Sequence, residues 1–246
     1  MKTLIVIPCY NECNRLNEEA FSSFVAQNED IEFLFVNDGS TDNTLSLLQT
    51  FSVSNDKIHY LDLAQNGGKA EAVRQGILQA TSQYDCAYVG FWDADLATPL
   101  DEIKHFERII DHHHYDCVTG LRLMRLGAQV RRKYSRHYIG RFFASLAAFV
   151  LDLPVYDTQC GAKLYKVDIA KKIFEQKFIT RWLFDVELLA RYIDLFGKEE
   201  AKAKIYENPV MKWQDVSGSQ LKMKDFFKAP YELWKIMRTY HSRRKL

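Results

Sequence analysis

An α/β fold built on a mostly parallel central sheet follows from three features of this 246-residue sequence. Strand-like runs rich in Ile, Val, Leu and Phe alternate with helix-like stretches through the first half. The runs are apolar enough for strands covered on both faces. Short polar clusters stand directly after several of them. In such sheets, ligands gather beyond the carboxyl ends of the strands, so those clusters are where chemistry is expected.

The first run, residues 3–8 (TLIVIP), is too short for a signal segment and is soon broken by Pro8 and Asn11-Glu12, so it reads as a buried first strand. Further strand-like runs lie at 31–37, 57–63, 86–92 and 116–121. Helical spacing of apolar residues marks 14–27, 41–51, 68–81 and 99–113, the last with Thr98-Pro99 as its start signal. The longest later apolar run, 142–151 (FFASLAAFVL), is about half of what a bilayer-spanning helix needs, so no span is expected. Pro8 to Glu12, Asn37 to Ser40 and Asp93 to Asp95 each follow a strand and converge on one crevice. No linker, repeat or low-complexity stretch intervenes. The expected layout is one catalytic domain over 1–221 and a basic amphipathic helix or tail over 222–246.

A formal net charge of +1 hides an uneven distribution. Residues 121–151 hold seven Lys/Arg and no acid, and 222–246 hold eight against only Asp225 and Glu232, which points to an anionic partner. The five cysteines have no paired C-x-x-C motifs and read as reduced thiols in a cytosolic protein. Absence of G-x-G-x-x-G after the first strand disfavours a dinucleotide-binding dehydrogenase, and no G-x-x-x-x-G-K-[ST] phosphate loop is present. His112, His113 and His114 are adjacent, so on a helix they point in different directions. They read as a surface helix end rather than a metal cluster.

Asp93-Ala94-Asp95 is the sharpest chemical signal. Carboxylates that hold a hard divalent cation can neutralise a departing pyrophosphate. In an extended segment, residues two apart face the same side, so both acids can meet one ion, or one the ion and the other a ribose. A surface turn capping a helix near Pro99 is the structural alternative. The position after a buried strand, where carboxylates are costly to leave unpaired, favours the functional reading.

The segments IPCYNECNRL (7–16), FVNDGSTDNT (35–44), NGGKAEAVRQG (66–76) and FWDADLATP (91–99) occur in this order. Together they resemble the inverting glycosyltransferases of family 2, which have the GT-A (nucleotide-diphospho-sugar transferase) fold. DTQCGAKLY (157–165), RWLFDVELL (181–189) and WQDVSGSQL (213–221) are similar, more narrowly, to the dolichyl-phosphate β-glucosyltransferases among the polyprenyl-phosphate glycosyltransferases. The resemblance implies that Pro8, Tyr10, Glu12, Asp38, Lys69, Asp93 and Ala94 bind the nucleotide-sugar, with Asp38 accepting from a uracil N–H. It implies that Asp95, with Asp93, holds Mg²⁺ or Mn²⁺. Asp185 of the D-x-E-L segment and Asp93 are the implied catalytic carboxylates, Arg122, Arg132 and Arg136 the acceptor-phosphate ligands, and Asp157, Gln159 and Trp213 further active-site candidates.

Several of these residues also have structural readings. Asp38-Gly39-Ser40 suits a turn and helix cap, Pro8 and Tyr10 a rigid strand end, and Asp185 the start of a helix running to about Leu195. A phosphate acceptor is largely ionised at neutral pH, with a second pKa of about 6, so Asp185 would then position substrate rather than remove a proton. Two stretches suit contact with a membrane interface. One is the Arg-rich segment leading into 142–151. The other is 222–240, where Phe226, Phe227, Leu233, Trp234, Met237 and Tyr240 recur among Lys222, Lys224, Lys228, Lys235 and Arg238. Core packing of the same residues is the alternative.

Some positions depart from the pattern. Gly120-Leu121-Arg122 stands for G-S-R, Ala70 for a glycine, and Gln220 for a lysine. Ala97 stands where dolichyl-phosphate mannose synthases have a metal-binding glutamine, which tilts the donor toward UDP-glucose. The related eukaryotic enzymes carry an N-terminal membrane helix, whereas this sequence opens on its first strand. The expected activity is inverting transfer of a hexose, glucose from UDP-glucose before others, to a polyprenyl phosphate. The expected place is cytoplasmic, peripheral at the membrane face, with no nucleic-acid partner. The alternatives are transfer to a soluble glycan or protein hydroxyl, a non-catalytic nucleotide-sugar-binding protein, and a nucleotidyltransferase.

Overall fold

The computed structural model describes residues 1–131, 134–214 and 223–241, without the side chains of 134–137, 139, 223–227 and 241. Its elements begin with β1 (Thr3–Cys9), α1 (Glu18–Gln27), β2 (Ile31–Asp38), α2 (Thr44–Ser54), β3 (Ile58–Leu63), α3 (Lys69–Gln83) and β4 (Tyr88–Trp92). Next come α4 (Asp101–His113), β5 (Cys117–Leu121), β6 (Gln129–Arg131), α5 (Tyr134–Leu151), β7 (Ala162–Lys166) and α6 (Val167–Phe174). The remainder is α7 (Phe184–Phe196), α8 (Lys198–Lys204), β8 (Ile205–Pro209), β9 (Lys212–Gln214) and α9 (Met223–Ile236), closed by a π-helical turn at Met237–His241. Each expected strand and helix of the first half is present. Contacts divide the chain into two units, Met1–Leu96 with Gly161–Lys177, and Ala97–Cys160 with Phe178–Leu246.

The first unit orders its strands β3-β2-β1-β4-β7, all parallel except β7, which runs antiparallel to β4. Leu4 to Ile7 on β1 and Phe33 to Val36 on β2 are fully buried because helices cover both faces. Phe21 of α1 packs edge-on against Phe33 and Phe35, with centroids 5.1 and 5.0 Å apart. Burying each such ring contributes about 1.5–3 kcal/mol. Helix α3 lies so close to the sheet that a β-carbon on Gly76 would fall 2.5 Å from Val6 Cγ1 and 2.8 Å from Val36 Cγ2. Strand order reverses at β1, which is flanked by β2 and β4, and the carboxyl ends of strands at such a switch point are where these sheets place ligands. Pro8 has no N–H to give, and β1 ends its pairing with β4 at Val6, two residues before it.

The second unit holds two parallel strand pairs, β5 with β8 and β6 with β9. Its core gathers around α7, whose residues Phe184 to Ile193 are nearly all buried. The helix expected from Pro99 begins at Asp101 instead. Pro99 sits in the entry turn, its carbonyl accepting from Glu102 N–H at 3.3 Å. His112 to His114 end α4 exposed, with His114 in the left-handed conformation (φ 55°), as a surface helix end requires. No described helix is long and apolar enough to cross a membrane.

Candidate active site

The loops after β1 and β2 interlock. Asn11, at φ 55°, gives its backbone N–H to Ser40 Oγ (3.0 Å) and accepts at Oδ1 from Thr41 N–H (2.9 Å). Glu12 N–H donates to Thr44 Oγ1 at 2.8 Å, and Cys13 N–H donates to Asp42. Pro8 and Tyr10 are therefore carried on a segment tied to the start of α2, and both stay partly exposed. Glu12 is buried and gripped by both prongs of the Arg15 guanidinium, at 2.9 and 2.7 Å. The Arg15 pKa is held above its usual value, first by this hydrogen-bonded pairing and further by the charge of Asp95. Arg15 is thus a cation of the site that motif reading missed. Its spacing of three from Glu12 within a turn was the available signal.

Asp38 ends β2 buried, and its carboxylate accepts from Gly67 N–H (2.7 Å) and Gly68 N–H (2.9 Å). The helix cap expected as an alternative is not formed, since neither Asn43 nor Gly68, the residues that cap α2 and α3, makes a side-chain cap bond. Asp38 instead holds the Gly67-Gly68 turn that delivers Lys69 as the first residue of α3. Lys69 Nζ pairs with Asp93 Oδ1. Asp93 follows β4 and donates its N–H to Gly161 O at 3.0 Å. The segment after β4 is a turn, not extended chain. Leu96 N–H donates to Asp93 O at 3.3 Å, and Leu96 takes φ 54°. The expectation that alternation places Asp93 and Asp95 on one side is corrected accordingly, because a turn of the chain between them replaces the strand geometry. Ala94 is buried between them, and Asp95 is half-buried.

Among the described residues, no three of His, Cys, Asp and Glu converge on a point where an ion would sit. The donor set still fits Mg²⁺ or Mn²⁺, since these hard ions are commonly held by one or two carboxylates and completed by substrate phosphates and water.

In the second unit, Arg122 binds Asp157 with Nε at 2.7 Å and Nη2 at 2.8 Å, and its backbone N–H donates to the same carboxylate at 3.1 Å. Its guanidinium lies 5.4 Å from the Trp213 ring centroid, and Trp213 packs with Val130 and Val210. Ala97 packs against that cluster, which is where the glutamine of the mannose synthases is replaced. Glu207 holds the loop by accepting from Tyr156 N–H (2.7 Å) and Asp157 N–H (2.8 Å). Gln159 N–H donates to Asp157 Oδ1 at 3.2 Å, while its side-chain Nε2 is buried with no hydrogen-bond partner among the described residues.

Asp185 lies buried in the first turn of α7. Glu187, two residues on, faces elsewhere and is wholly enclosed. Its carboxylate accepts from Thr180 N–H (3.1 Å), Thr180 Oγ1 (2.9 Å), Arg191 Nη2 (2.8 Å) and Tyr240 O–H (3.0 Å). Glu232 of α9 accepts from Trp182 N–H and Leu183 N–H, at 3.3 and 3.1 Å, at the entry to the same helix. Arg132 and Gln220 lie outside the described residues, as does the side chain of Arg136.

A sequence profile described as Glycosyl transferase family 2 matches residues 4–174, which include Pro8 to Glu12, Asp38, Lys69, Asp93, Asp95 and Gly161. The chain belongs to this family. It is a glycosyltransferase with the GT-A fold. This family member is 31% identical to a dolichyl-phosphate beta-glucosyltransferase of Dictyostelium discoideum, over 88% of this chain and 68% of the relative. It is 30% identical to one of Homo sapiens with the same coverage, and 29% identical to one of Trichomonas vaginalis over 95% of this chain and 70% of the relative. Among solved structures, glucosyl-3-phosphoglycerate synthase of Mycobacterium tuberculosis, in complex with Mn²⁺ and UDP-glucose, matches with a TM-score of 0.67 at 15% identity. The match covers 98% of this chain and 78% of that one, and it speaks for the fold.

Proposed function

We propose that this glycosyltransferase transfers glucose from UDP-glucose to dolichyl or a closely similar polyprenyl phosphate, with inversion, using Mg²⁺ or Mn²⁺. It would work as a peripheral protein at the cytoplasmic membrane face. The observation that carries the donor half is the turn after β4, where Asp93 meets Lys69 and Asp95 follows on the same turn. The relatives named as dolichyl-phosphate glucosyltransferases support the acceptor half.

In this reading, Pro8, Tyr10, Glu12 and Asp38 border the nucleotide, and Lys69 turns its ammonium from Asp93 to the pyrophosphate. A divalent ion at Asp95 and Asp93 would supply Lewis-acid neutralisation of the departing UDP. An acceptor phosphate oxygen forms the new bond to the anomeric carbon, while the bond to the β-phosphate oxygen breaks and its electron pair leaves with UDP. The Arg122–Asp157 pair is neutral overall, so Arg132 and Arg136 carry more of the phosphate recognition than Arg122, which shapes the loop holding Gln159 and lies over Trp213 of β9. Asp185 orients the acceptor.

Assay of the purified protein with UDP-sugars, Mn²⁺ and short polyprenyl phosphates tests the proposal, with glucosyl transfer as the expected result. Retained turnover in Asp95→Ala would remove the metal assignment. A thermal-shift panel of UDP- and GDP-sugars with and without Mn²⁺ should single out UDP-glucose. A protein stabilised by none of them would not be using this site for a nucleotide-sugar.

A further inference from the structure

Helix α5 has two unlike faces. Inward, Phe143, Ala144, Ala147 and Leu151 are buried. Outward, Tyr138, Phe142 and Phe149 are 70%, 75% and 80% exposed, at the helical spacings of four and seven that place them on one stripe. Three uncovered aromatic rings on one helix face forgo the stabilisation that burial would bring, and such patches mark interaction surfaces. The stripe belongs to the segment 121–151, which has no acid and seven Lys/Arg, six of them besides the Arg122 that pairs with Asp157. Of these, Arg141 lies between the aromatics in sequence and stacks 3.3 Å from the Tyr156 ring centroid.

Charge decides among the occupants. A second copy of this chain on the same face would oppose two acid-free basic segments, which like-charge repulsion disfavours. A bilayer containing anionic lipid satisfies both properties, with basic groups at the headgroups and aromatic rings at the acyl boundary. We propose that the outward face of α5 docks on an anionic lipid surface. The choice of lipid rests on the lipid-linked acceptor proposed above.

Helix α9 contributes a smaller share than its sequence implied. Ala229, Leu233, Ile236 and Tyr240 turn into the protein, leaving Tyr231 and Trp234 outward and stacked 6.0 Å apart. Lys235 lies 4.8 Å from the Tyr231 ring centroid, and Arg238 lies 5.4 Å from that of Trp234. The inward sides of both helices meet the entry of α7. Phe143 packs on the Trp182 ring at 5.4 Å, and Glu232 holds the Trp182 and Leu183 N–H groups. Docking through α5 therefore bears on the turn that carries Asp185.

The test is co-sedimentation of the full chain with phosphatidylcholine vesicles, with and without phosphatidylglycerol, for wild type and the double variant Phe142→Ser/Phe149→Ser. Both positions are exposed, so the melting temperature should not move. Wild type should bind the phosphatidylglycerol vesicles, and the double variant should bind about tenfold more weakly or less. Turnover of long-chain polyprenyl phosphate embedded in vesicles should fall in the double variant, while turnover of a short, water-soluble one should not. Equal vesicle binding by both proteins, or no binding by wild type, overturns the docking face. So does a concentration-dependent dimer that the double variant abolishes. Vesicle binding without turnover of any polyprenyl phosphate would sink the acceptor reading and leave the docking face standing.

Discussion

The carboxylate of Asp93 rests against the α-carbon of Gly161, so closely that a β-carbon at 161 would lie 1.8 Å from Asp93 Oδ2. The Gly161→Ala variant must push that carboxylate aside, since the neighbouring backbone is also bonded to Asp93 N–H. Displacement of about 1 Å at a reacting centre can cost on the order of a hundredfold in rate. Turnover with UDP-glucose and Mn²⁺ should fall by about that factor, with about 1–3 kcal/mol of stability lost to overpacking. Turnover equal to wild type would mean that Asp93 does not need this position.

Lys69 and Asp93 have side chains 41% and 37% exposed, so their pairing adds little to folding. If Lys69 serves the pyrophosphate, Lys69→Met should melt like wild type and yet bind UDP about tenfold or more weakly. That factor reflects loss of one charge-assisted hydrogen bond. Calorimetric titration of UDP into the two proteins measures it.

Glu187 presents the opposite balance. It is fully buried with Arg191, whose side chain is also buried, so Glu187→Ala leaves an enclosed guanidinium without its counter-charge. Urea unfolding should show a loss of about 3–5 kcal/mol. Tyr240→Phe removes the hydroxyl that donates to the same carboxylate and accepts from Arg191 Nε at 3.1 Å, and should cost less, about 1–2 kcal/mol.

These residues also mark what the sequence could and could not disclose. Leu4 to Ile7 and Tyr88 to Trp92 were readable as strands because burial on both faces makes every position apolar. The clusters after them were readable as a site because parallel strands deliver their carboxyl ends together. The turn at Asp93–Leu96 was legible only as the alternative to extended chain, since a leucine at positive φ carries none of the glycine or asparagine signal such turns usually show. Glu207 and Glu232 escaped notice because their partners are backbone N–H groups about fifty residues away, for which no local spacing exists, whereas Glu187 had a legible partner in Arg191 one helical turn on but not in Tyr240. For α9, periodicity revealed an amphipathic helix but not that Leu233 and Tyr240 face the protein while Trp234 faces out.

Acid should loosen the interlocked loops of the first unit before neutral conditions do. Burial alone would raise the Asp42 carboxyl, but hydrogen bonds from Cys13 and Thr44 outweigh it and hold the pKa at about 2. Glu71 is likewise lowered, chiefly by Arg74. Folded values below the unfolded ones mean that the stabilisation is complete above roughly pH 4 and is lost as pH falls toward 2. Asp42→Asn should therefore be less stable than wild type at pH 7, and the difference should shrink between about pH 4 and 2. Melting curves across that range would show a constant difference if Asp42 played no part.

Asp185 offers the sharpest separation between acceptor classes. A hydroxyl acceptor must lose its proton during attack, and a positioned base contributes about 10²- to 10⁴-fold to such a step. A phosphate acceptor above its second pKa, about 6, is already ionised and needs no base. Asn at 185 keeps the size of the side chain and a hydrogen-bonding oxygen, so it can still orient an acceptor from the buried first turn of α7. Asp185→Asn should then lose less than about tenfold with polyprenyl phosphate at pH 7.5, and it should lose more as pH drops below about 6 only if Asp185 also takes up a proton. A loss of about a thousandfold at pH 7.5 would assign Asp185 as a general base and point to a hydroxyl acceptor.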